Sequence, residues 1–160
     1  MTRTGLGYDI HLLKKGEKLT LGGVEISSPL GTVGHSDADA LLHAIIDALL
    51  GAAGLGDIGE HFPPSDETYR GISSRVLLKK SLSLVKDRGF SIANIDAVVI
   101  LEKPSLSSYK QLIRETVAAD LNIQVEAVNI KAKAKEGVDA AGEQLAVETY
   151  AVVLLENPER

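Results

Sequence analysis

The chain has 160 residues, of which 44% are hydrophobic and only 4% aromatic, and its formal net charge is −5. This length fits a single domain, residues 1–160, with a mainly aliphatic core, and the acidic balance argues against a nucleic-acid binder, which would carry a basic stripe. Because the chain has no cysteine, disulfides and cysteine-ligated metals are excluded, and any metal must be held by nitrogen and oxygen.

Neither a membrane span nor a secretion signal is visible. No apolar run approaches the roughly 20 residues that a membrane-spanning helix needs, and the first five residues, Met-Thr-Arg-Thr-Gly, lack the apolar stretch of a signal peptide. We therefore expect no membrane association and a cytoplasmic location.

Hydrophobic periodicity and turn residues predict strands and helices in alternation. The predicted strands are 5–13, 95–101, 128–134 and 149–155, with a hairpin over 18–26 that turns at Gly22-Gly23. The predicted helices run from Ser36 to the glycines at 51 and 54, over 73–88 with Ser73 or Ser74 as the cap, and over 107–120. Ser36 with Asp39 resembles a capping box. Residues 27–31 are predicted to be a loop, and 54–71 a longer, functional one.

Two strands indicate how the layers are arranged. Residues 97–101 and 150–155 are apolar almost without interruption, which is typical of strands buried on both faces. Three helices can cover one face of a short sheet. The sequence therefore predicts an α/β fold of the two-layer α+β type, with a mainly four-stranded sheet, helices on one face and another subunit against the other.

Three of the four histidines lie in two short segments, each beside carboxylates. Asp9 and His11 are two apart on a strand and so share a face, while His43 lies on a helix between Asp39 and Asp47, four residues to either side. Three protein ligands with a fourth position open are typical of catalytic zinc, and Asp39 or Asp47 could accept the other ring N–H of His43. The alternative is a strand-end histidine and an unrelated polar helix residue.

Three further segments have both a functional and a plain structural interpretation. His35-Ser36 at a helix start could bind phosphate, or Ser36 could simply cap the helix. Asp57, between Gly56 and Gly59, could grip ligand hydroxyls or occupy an ordinary turn. Lys131, Lys133 and Lys135 alternate along a strand and could face a diphosphate, with Glu136 on a second metal, or form a solvated face.

Together these segments resemble the 2-C-methyl-D-erythritol 2,4-cyclodiphosphate synthase family over nearly the whole chain. The run HSDADALLHAIIDALLGAAGLGDIG at residues 35–59 is long and specific, and it is preceded by GYDIH at 7–11 and LGGVEI at 21–26 and followed by Phe62-Pro63 and VNIKAK at 128–133. The resemblance implies an α/β homotrimer whose sheets face the trimer centre and whose active sites lie between subunits. It also implies conversion of 4-diphosphocytidyl-2-C-methyl-D-erythritol 2-phosphate into the cyclodiphosphate and CMP, in non-mevalonate isoprenoid biosynthesis.

The resemblance also implies roles for individual residues. It implies zinc on Asp9, His11 and His43, and Mg²⁺ or Mn²⁺ on Glu136 at the diphosphate. It implies catalytic positions at His35 and Ala134, nucleotide binding by Lys103, Pro104, Ser105 and Leu106, and substrate binding by Asp9, His11, His35, Ser36, Asp57, Ile58, Gly59, Phe62, Asp66, Lys133 and Glu136.

Five positions depart from the family pattern. Ala134 stands where many members carry a threonine, Lys135 where they carry a small polar residue, and Ser105 where a lysine often follows the proline. Pro64 replaces an aspartate, and Leu145 a basic residue. The Gly-Arg-Gly stretch of many members is absent, and residues 138–143 resemble a shorter variant. These departures predict reduced or shifted activity, or a trimeric relative that binds metal and phosphorylated ligand without turnover.

Overall fold

A computed structural model describes residues 1–157, so the last three residues of the predicted domain lie outside the described part. The strands are β1 (Thr2–Lys15), β2 (Leu19–Leu21), β3 (Val24–Ile26), β4 (Leu30–Thr32), β5 (Ser91–Ile100), β6 (Val128–Lys133) and β7 (Ala146–Glu156). The helices are α1 (Ala40–Ala53), α2 (Ile58–His61), α3 (Ser74–Asp87), α4 (Lys110–Leu121) and α5 (Asp139–Gly142), with 3₁₀ turns at Glu67–Tyr69 and Val125–Ala127.

The main sheet has five strands in the order β4-β1-β7-β5-β6, with only the β5–β6 pair parallel, and β2 and β3 form a separate hairpin. The predicted four-stranded sheet is therefore wrong by one strand. The missing strand is β4, in the segment predicted to be a loop. β4 pairs with the end of β1 over only three residues. Pro29 directly before it and Gly31 within it are residues typical of turns.

The first helix begins later than its capping pattern predicted. Its N-cap is Asp39, whose carboxylate accepts from the Leu42 backbone N–H, and not Ser36. The same buried carboxylate also accepts from the N–H groups of Gly22 and Gly23, at 2.9 and 2.7 Å. Asp39 thus ties the hairpin turn to α1. Burial raises the pKa of Asp39 to about 6, although these three N–H donors favour its charged form.

Helix α1 is the centre of the core. Eleven of its fourteen residues are buried, because α1 lies on β1 and β7 on one side and against α3 on the other. A helix that is apolar nearly all round belongs in such a position. The helices are thus on one side of the sheet, as predicted, but α3 is in a layer outside α1 rather than on the sheet.

Strand β1 meets α1 through two glycines. A Cβ atom on Gly5 would lie 1.9 Å from the Ala48 carbonyl oxygen, and one on Gly7 would lie 1.8 Å from that of Ala44. No side chain fits at these distances, so the backbones are in direct contact. The close approach brings the N-terminal half of α1 over the middle of β1.

The opposite face of the sheet is apolar and open. Six large apolar side chains of β1 and β7 point outward and are 38–68% exposed, and they are Leu6, Tyr8, Ile10, Leu12, Tyr150 and Val152. The expectation that both faces are buried is therefore not met within one chain. None of the helices among residues 1–157 combines the length and the apolar character needed to cross a bilayer.

We expect Gly7→Ala to lower the free energy of unfolding by at least about 2 kcal/mol, because α1 must move away from β1 to admit the methyl group. Gly51→Ala is the matched control: Gly51 lies in α1, and a Cβ there meets nothing within 4 Å. That variant should gain about 0.5–1 kcal/mol from helix propensity. Chemical denaturation of both variants measures the difference, and equal stabilities would contradict the close packing.

Candidate metal centre and adjoining pockets

The predicted ligands Asp9, His11 and His43 converge on one point. On β1 the side chains alternate, and Asp9 and His11 follow Gly5 and Gly7 on the face toward α1. Helix α1 supplies His43, one residue before Ala44, whose carbonyl contacts Gly7. The glycine contact therefore positions the helix ligand opposite the two strand ligands, and the predicted same-face arrangement of Asp9 and His11 is confirmed.

The three donor atoms are close together. Asp9 Oδ2 lies 2.8 Å from His11 Nε2 and 3.1 Å from His43 Nδ1, and the two ring nitrogens are 3.2 Å apart. Ligands at about 2.0–2.1 Å from a tetrahedral ion are about 3.3 Å apart, so the triad needs only a slight expansion to accept a metal. The three side chains are 13–25% exposed, which leaves the centre accessible from one side.

Asp9 and His11 shift each other's pKa. Burial disfavours a charge on Asp9, but hydrogen bonds from His11 and His43 prevail and lower its pKa to about 2. Burial also disfavours a charge on His11, yet the Asp9 carboxylate raises its pKa. Asp9 is therefore ionised at neutral pH, as an oxygen ligand must be.

A backbone carbonyl orients His11. Its Nδ1 atom lies 3.0 Å from the Val33 carbonyl oxygen, which can only accept, so Nδ1 carries a proton and Nε2 is the nitrogen that faces the centre. This is the outer-shell arrangement typical of metal-binding histidines.

The predicted partner for His43 is wrong. Asp39 faces the glycine hairpin, and Asp47 accepts from the Ile58 N–H at 2.9 Å. The Nε2 atom of His43 instead lies 2.9 Å from Ser74 Oγ and 3.2 Å from Ser36 Oγ. Helix spacing alone could not reveal this, because the hydroxyls come from α3 and from the loop before α1.

A pocket of about 350 Å³ opens beside the triad. Its lining residues are His11, His35, Ser36, His43, Ile58, Gly59, Phe62, Pro64, Tyr69 and Leu77. Several predicted substrate residues thus come together here, while Tyr69 and Leu77 were not predicted. Tyr69 lies in the predicted functional loop, where its edge-on contact with Phe62 was not visible in the sequence.

The His35-Ser36 segment is at this pocket but not at a helix start, because α1 begins four residues later. The predicted anion site at a helix N-terminus is therefore wrong in its physical basis. Among the described residues, His35 Nε2 is nevertheless a buried polar atom with no hydrogen-bond partner. Such an atom calls for a partner supplied from outside the chain.

Two predicted substrate carboxylates have local structural contacts. Asp57 caps α2 by accepting from Glu60 N at 3.0 Å, and Asp66 caps the following 3₁₀ turn by accepting from Thr68 N at 2.9 Å. Neither lines the pocket beside the triad. Their roles in substrate binding stay predictions.

A second pocket, of about 330 Å³, holds the predicted nucleotide residues. It is lined by Leu101, Glu102, Lys103, Pro104, Ser105, Leu106, Ser107, Lys110, Ala132, Lys133 and Ala134. It shares no residue with the pocket beside the triad. Lys110, at the start of α4, was not predicted, and it stands in the same pocket as Ser105.

The predicted row of lysines is only partly right. Lys131 pairs with Asp96 at 2.5 Å, and Lys133 alone reaches the second pocket. Lys135 lies beyond the end of β6 and pairs with Asp139 at 2.6 Å. Glu136 follows with a positive φ of 54°, apart from the Asp9 cluster.

We expect His43→Ala to lose stoichiometric zinc, since two ligands do not complete the site. His61→Ala is the control, because His61 lies outside the triad, with a ring nitrogen 2.7 Å from the Leu55 carbonyl oxygen. This variant should leave zinc binding unchanged. Metal analysis after dialysis against zinc measures both variants. Full zinc occupancy in His43→Ala would overturn the ligand assignment.

Sequence comparisons match this chain over nearly its full length. A family model described as the YgbB family covers residues 2–156. The 2-C-methyl-D-erythritol 2,4-cyclodiphosphate synthase of Dechloromonas aromatica is 52% identical over 154 residues, covering 96% of each chain. The enzyme of the same name from Fusobacterium nucleatum is 48% identical over 156 residues, covering 98% of each chain.

Solved structures agree with the sequence comparisons. A structure of 2C-methyl-D-erythritol-2,4-cyclodiphosphate synthase in a CDP-bound form superposes with a TM-score of 0.90 at 38% identity, covering 96% of this chain and all of that one. The bifunctional IspDF of Campylobacter jejuni superposes with a TM-score of 0.95 at 36% identity. The superposition covers 98% of this chain but only 42% of the bifunctional chain.

Proposed function

Since the chain belongs to the YgbB family, we propose that it is a 2-C-methyl-D-erythritol 2,4-cyclodiphosphate synthase, a phosphorus–oxygen lyase of non-mevalonate isoprenoid biosynthesis. Its substrate is 4-diphosphocytidyl-2-C-methyl-D-erythritol 2-phosphate, and its products are the cyclodiphosphate and CMP. The observation that carries the proposal is the Asp9/His11/His43 triad at the edge of a pocket that also contains His35 and Ser36. A cysteine-free chain of this composition suits the cytoplasm.

The triad fits a zinc ion. One carboxylate oxygen and two imidazole nitrogens are ligands that zinc accepts, and three protein ligands leave a position for substrate. When bound, zinc would neutralise negative charge on a substrate phosphate. Glu136 would hold Mg²⁺ or Mn²⁺ at the diphosphate, because a carboxylate oxygen is the ligand that such cations prefer.

The reaction needs positioning more than it needs a strong base. An oxygen of the 2-phosphate, already ionised at neutral pH, attacks the β-phosphorus, and the bond from that phosphorus to the CMP oxygen breaks. Holding the two ends of one molecule together can supply several kcal/mol of the barrier. His35, through its unpartnered Nε2, and Ser36 would hold one phosphate, and Asp57, Ile58 and Gly59 the methylerythritol hydroxyls.

The methylerythritol end has further candidate contacts. Phe62 lines the pocket beside the triad and would pack against the carbon skeleton, while Asp66 would accept from a hydroxyl. At the other end, Lys133 would offset charge on the diphosphate from the second pocket. Lys103, Pro104, Ser105 and Leu106 would form the cytidine site.

We propose the homotrimer that the family resemblance implies, and two observations support it. The outer face of the sheet exposes a contiguous set of apolar side chains, which is unusual for a monomer of this size. The metal-side and nucleotide-side residues also line separate pockets in one chain. A trimer with its sheets facing the centre would cover the apolar face and bring the metal side of one subunit to the nucleotide side of its neighbour.

A second candidate function follows from Ala134. This residue directly follows β6, the strand that ends at Lys133, and it offers no hydroxyl to the second pocket. A trimer that binds metal and the phosphorylated ligand without turnover would have the same fold and the same triad. The two candidates differ only in whether CMP is released.

We expect the purified protein, incubated with zinc, Mg²⁺ and the diphosphocytidyl substrate, to release one CMP for each cyclodiphosphate formed. Phosphorus NMR follows the product and chromatography follows CMP, with His43→Ala as the inactive control. Absence of CMP from a zinc-loaded protein that binds the substrate would favour the non-catalytic candidate.

We expect Ala134→Thr to raise kcat by about tenfold to a hundredfold, because a hydroxyl donor to the transferring phosphate is the type of contact whose loss costs about a hundredfold or more. Steady-state kinetics with saturating Mg²⁺ measure the change, and KM for the substrate should move much less than kcat. An unchanged or lower kcat would indicate that Lys133, which lines the same pocket, supplies the stabilising contact without a hydroxyl at position 134.

A further inference from the structure

Asp37 is the third residue of the His-Ser-Asp segment and has no role in the reaction described above. Its carboxylate faces the first turn of α3 and does not point into the pocket lined by His35 and Ser36. There Asp37 Oδ2 accepts from the backbone N–H of Ser74 at 2.9 Å, and Asp37 Oδ1 accepts a short hydrogen bond from the Ser74 hydroxyl. Ser74 is fully buried, so this hydroxyl is not exchanged for water.

The direction of these hydrogen bonds is fixed by chemistry. An ionised carboxylate only accepts, so the single proton of the Ser74 hydroxyl points to Asp37. The Ser74 oxygen can then only accept from its other neighbour, His43 Nε2, at 2.9 Å. His43 therefore carries a proton on Nε2, and its Nδ1 atom faces Asp9 and His11.

We propose that Asp37 and Ser74 are positioning residues that set the tautomer of His43 and so prepare the triad for a cation. This inference rests on the metal site of the proposed function. With a proton held on Nδ1 of His11 and on Nε2 of His43 by these outer contacts, the nitrogens that face Asp9 are Nε2 of His11 and Nδ1 of His43, and the three donor atoms meet within 2.8–3.2 Å. A divalent cation would take the place of the protons that these two nitrogens share with Asp9 in the metal-free triad.

The same contacts connect the ligand to the rest of the pocket. The Asp37 N–H donates to the Ile72 carbonyl, and the Gly71 N–H donates to the His35 carbonyl, which fastens the 35–37 segment to the residues before α3. Asp37 therefore has two roles. Its carboxylate binds the Ser74 hydroxyl that orients His43, and its backbone N–H helps to fix the segment that carries His35. This accounts for a carboxylate directly beside the predicted phosphate residues.

Asp37→Asn is the sharpest test, because it keeps the shape of the side chain and reverses its hydrogen bond with the Ser74 hydroxyl. It also gives up the 3.2 Å hydrogen bond that Asp37 Oδ1 accepts from the Asp39 N–H. The asparagine amide nitrogen would donate to Ser74 Oγ, so the Ser74 proton would turn toward His43 Nε2. The ring would then carry its proton on Nδ1, where the metal must bind. We expect zinc affinity, measured by competition with a chelator, to fall about 10–100-fold.

Asp87→Asn is the matched control, since it removes the same charge from the exposed end of α3. Its zinc affinity should equal that of the unsubstituted protein. Ser74→Ala should also weaken zinc binding, and adding Asp37→Asn to it should cost little more, because the relay is already interrupted. Circular dichroism and thermal unfolding verify that each variant is folded.

Nitrogen NMR of the metal-free protein reads directly which ring nitrogen of His43 carries the proton. His43 should be protonated on Nε2 in the unsubstituted protein and on Nδ1 in Asp37→Asn. An unchanged tautomer or unchanged zinc affinity in Asp37→Asn overturns the relay. Failure of the unsubstituted protein to bind zinc, with the tautomer switch intact, would instead overturn the metal assignment of the proposed function.

Discussion

The contact between α1 and the glycines of β1 is the constraint on which the rest of the structure depends. Two Cβ atoms are absent where a helix backbone meets a strand backbone, and this places His43 within reach of Asp9 and His11. The metal centre is therefore built on two regular elements held at backbone contact. A site placed in this way is positioned by core packing and not by the conformation of a loop.

The two carboxylates of the Asp37-Ala38-Asp39 segment attach the loop before α1 to different parts of the structure. Asp39 accepts three backbone N–H groups and joins the hairpin to the helix, which is a purely structural task. Asp37 turns the other way and contacts α3. The left-handed Ala38 between them, with φ of 54°, allows the two side chains to point in opposite directions. Of these two neighbouring carboxylates, Asp39 therefore stabilises the fold and Asp37 supports the metal site.

The sequence was sufficient to predict the parts of the molecule that are determined locally. The hairpin, the three long helices and four of the sheet strands follow from periodicity and glycine positions, and the Asp9/His11 pair follows from strand alternation. β4 was missed because a three-residue strand has too short a pattern. Ser36 was mistaken for the N-cap because it and Asp39 are both good caps, and only the tertiary contacts of Asp39 with Gly22 and Gly23 decide between them. The Ser74 contact with His43 spans 31 residues, and no local signal encodes it.

The two faces of strand β1 contact different surroundings, and both sets of contacts depend on the spacing of residues along the strand. Gly5, Gly7, Asp9 and His11 face inward, while Leu6, Tyr8, Ile10 and Leu12 face outward. A one-residue insertion between Gly5 and His11 would move the residues after it to the opposite face. It would turn ligands toward the open side of the sheet and push leucine and isoleucine against the α1 backbone. The spacing of this segment is therefore under a tighter constraint than the identity of most of its residues, since no single substitution elsewhere can restore a lost register.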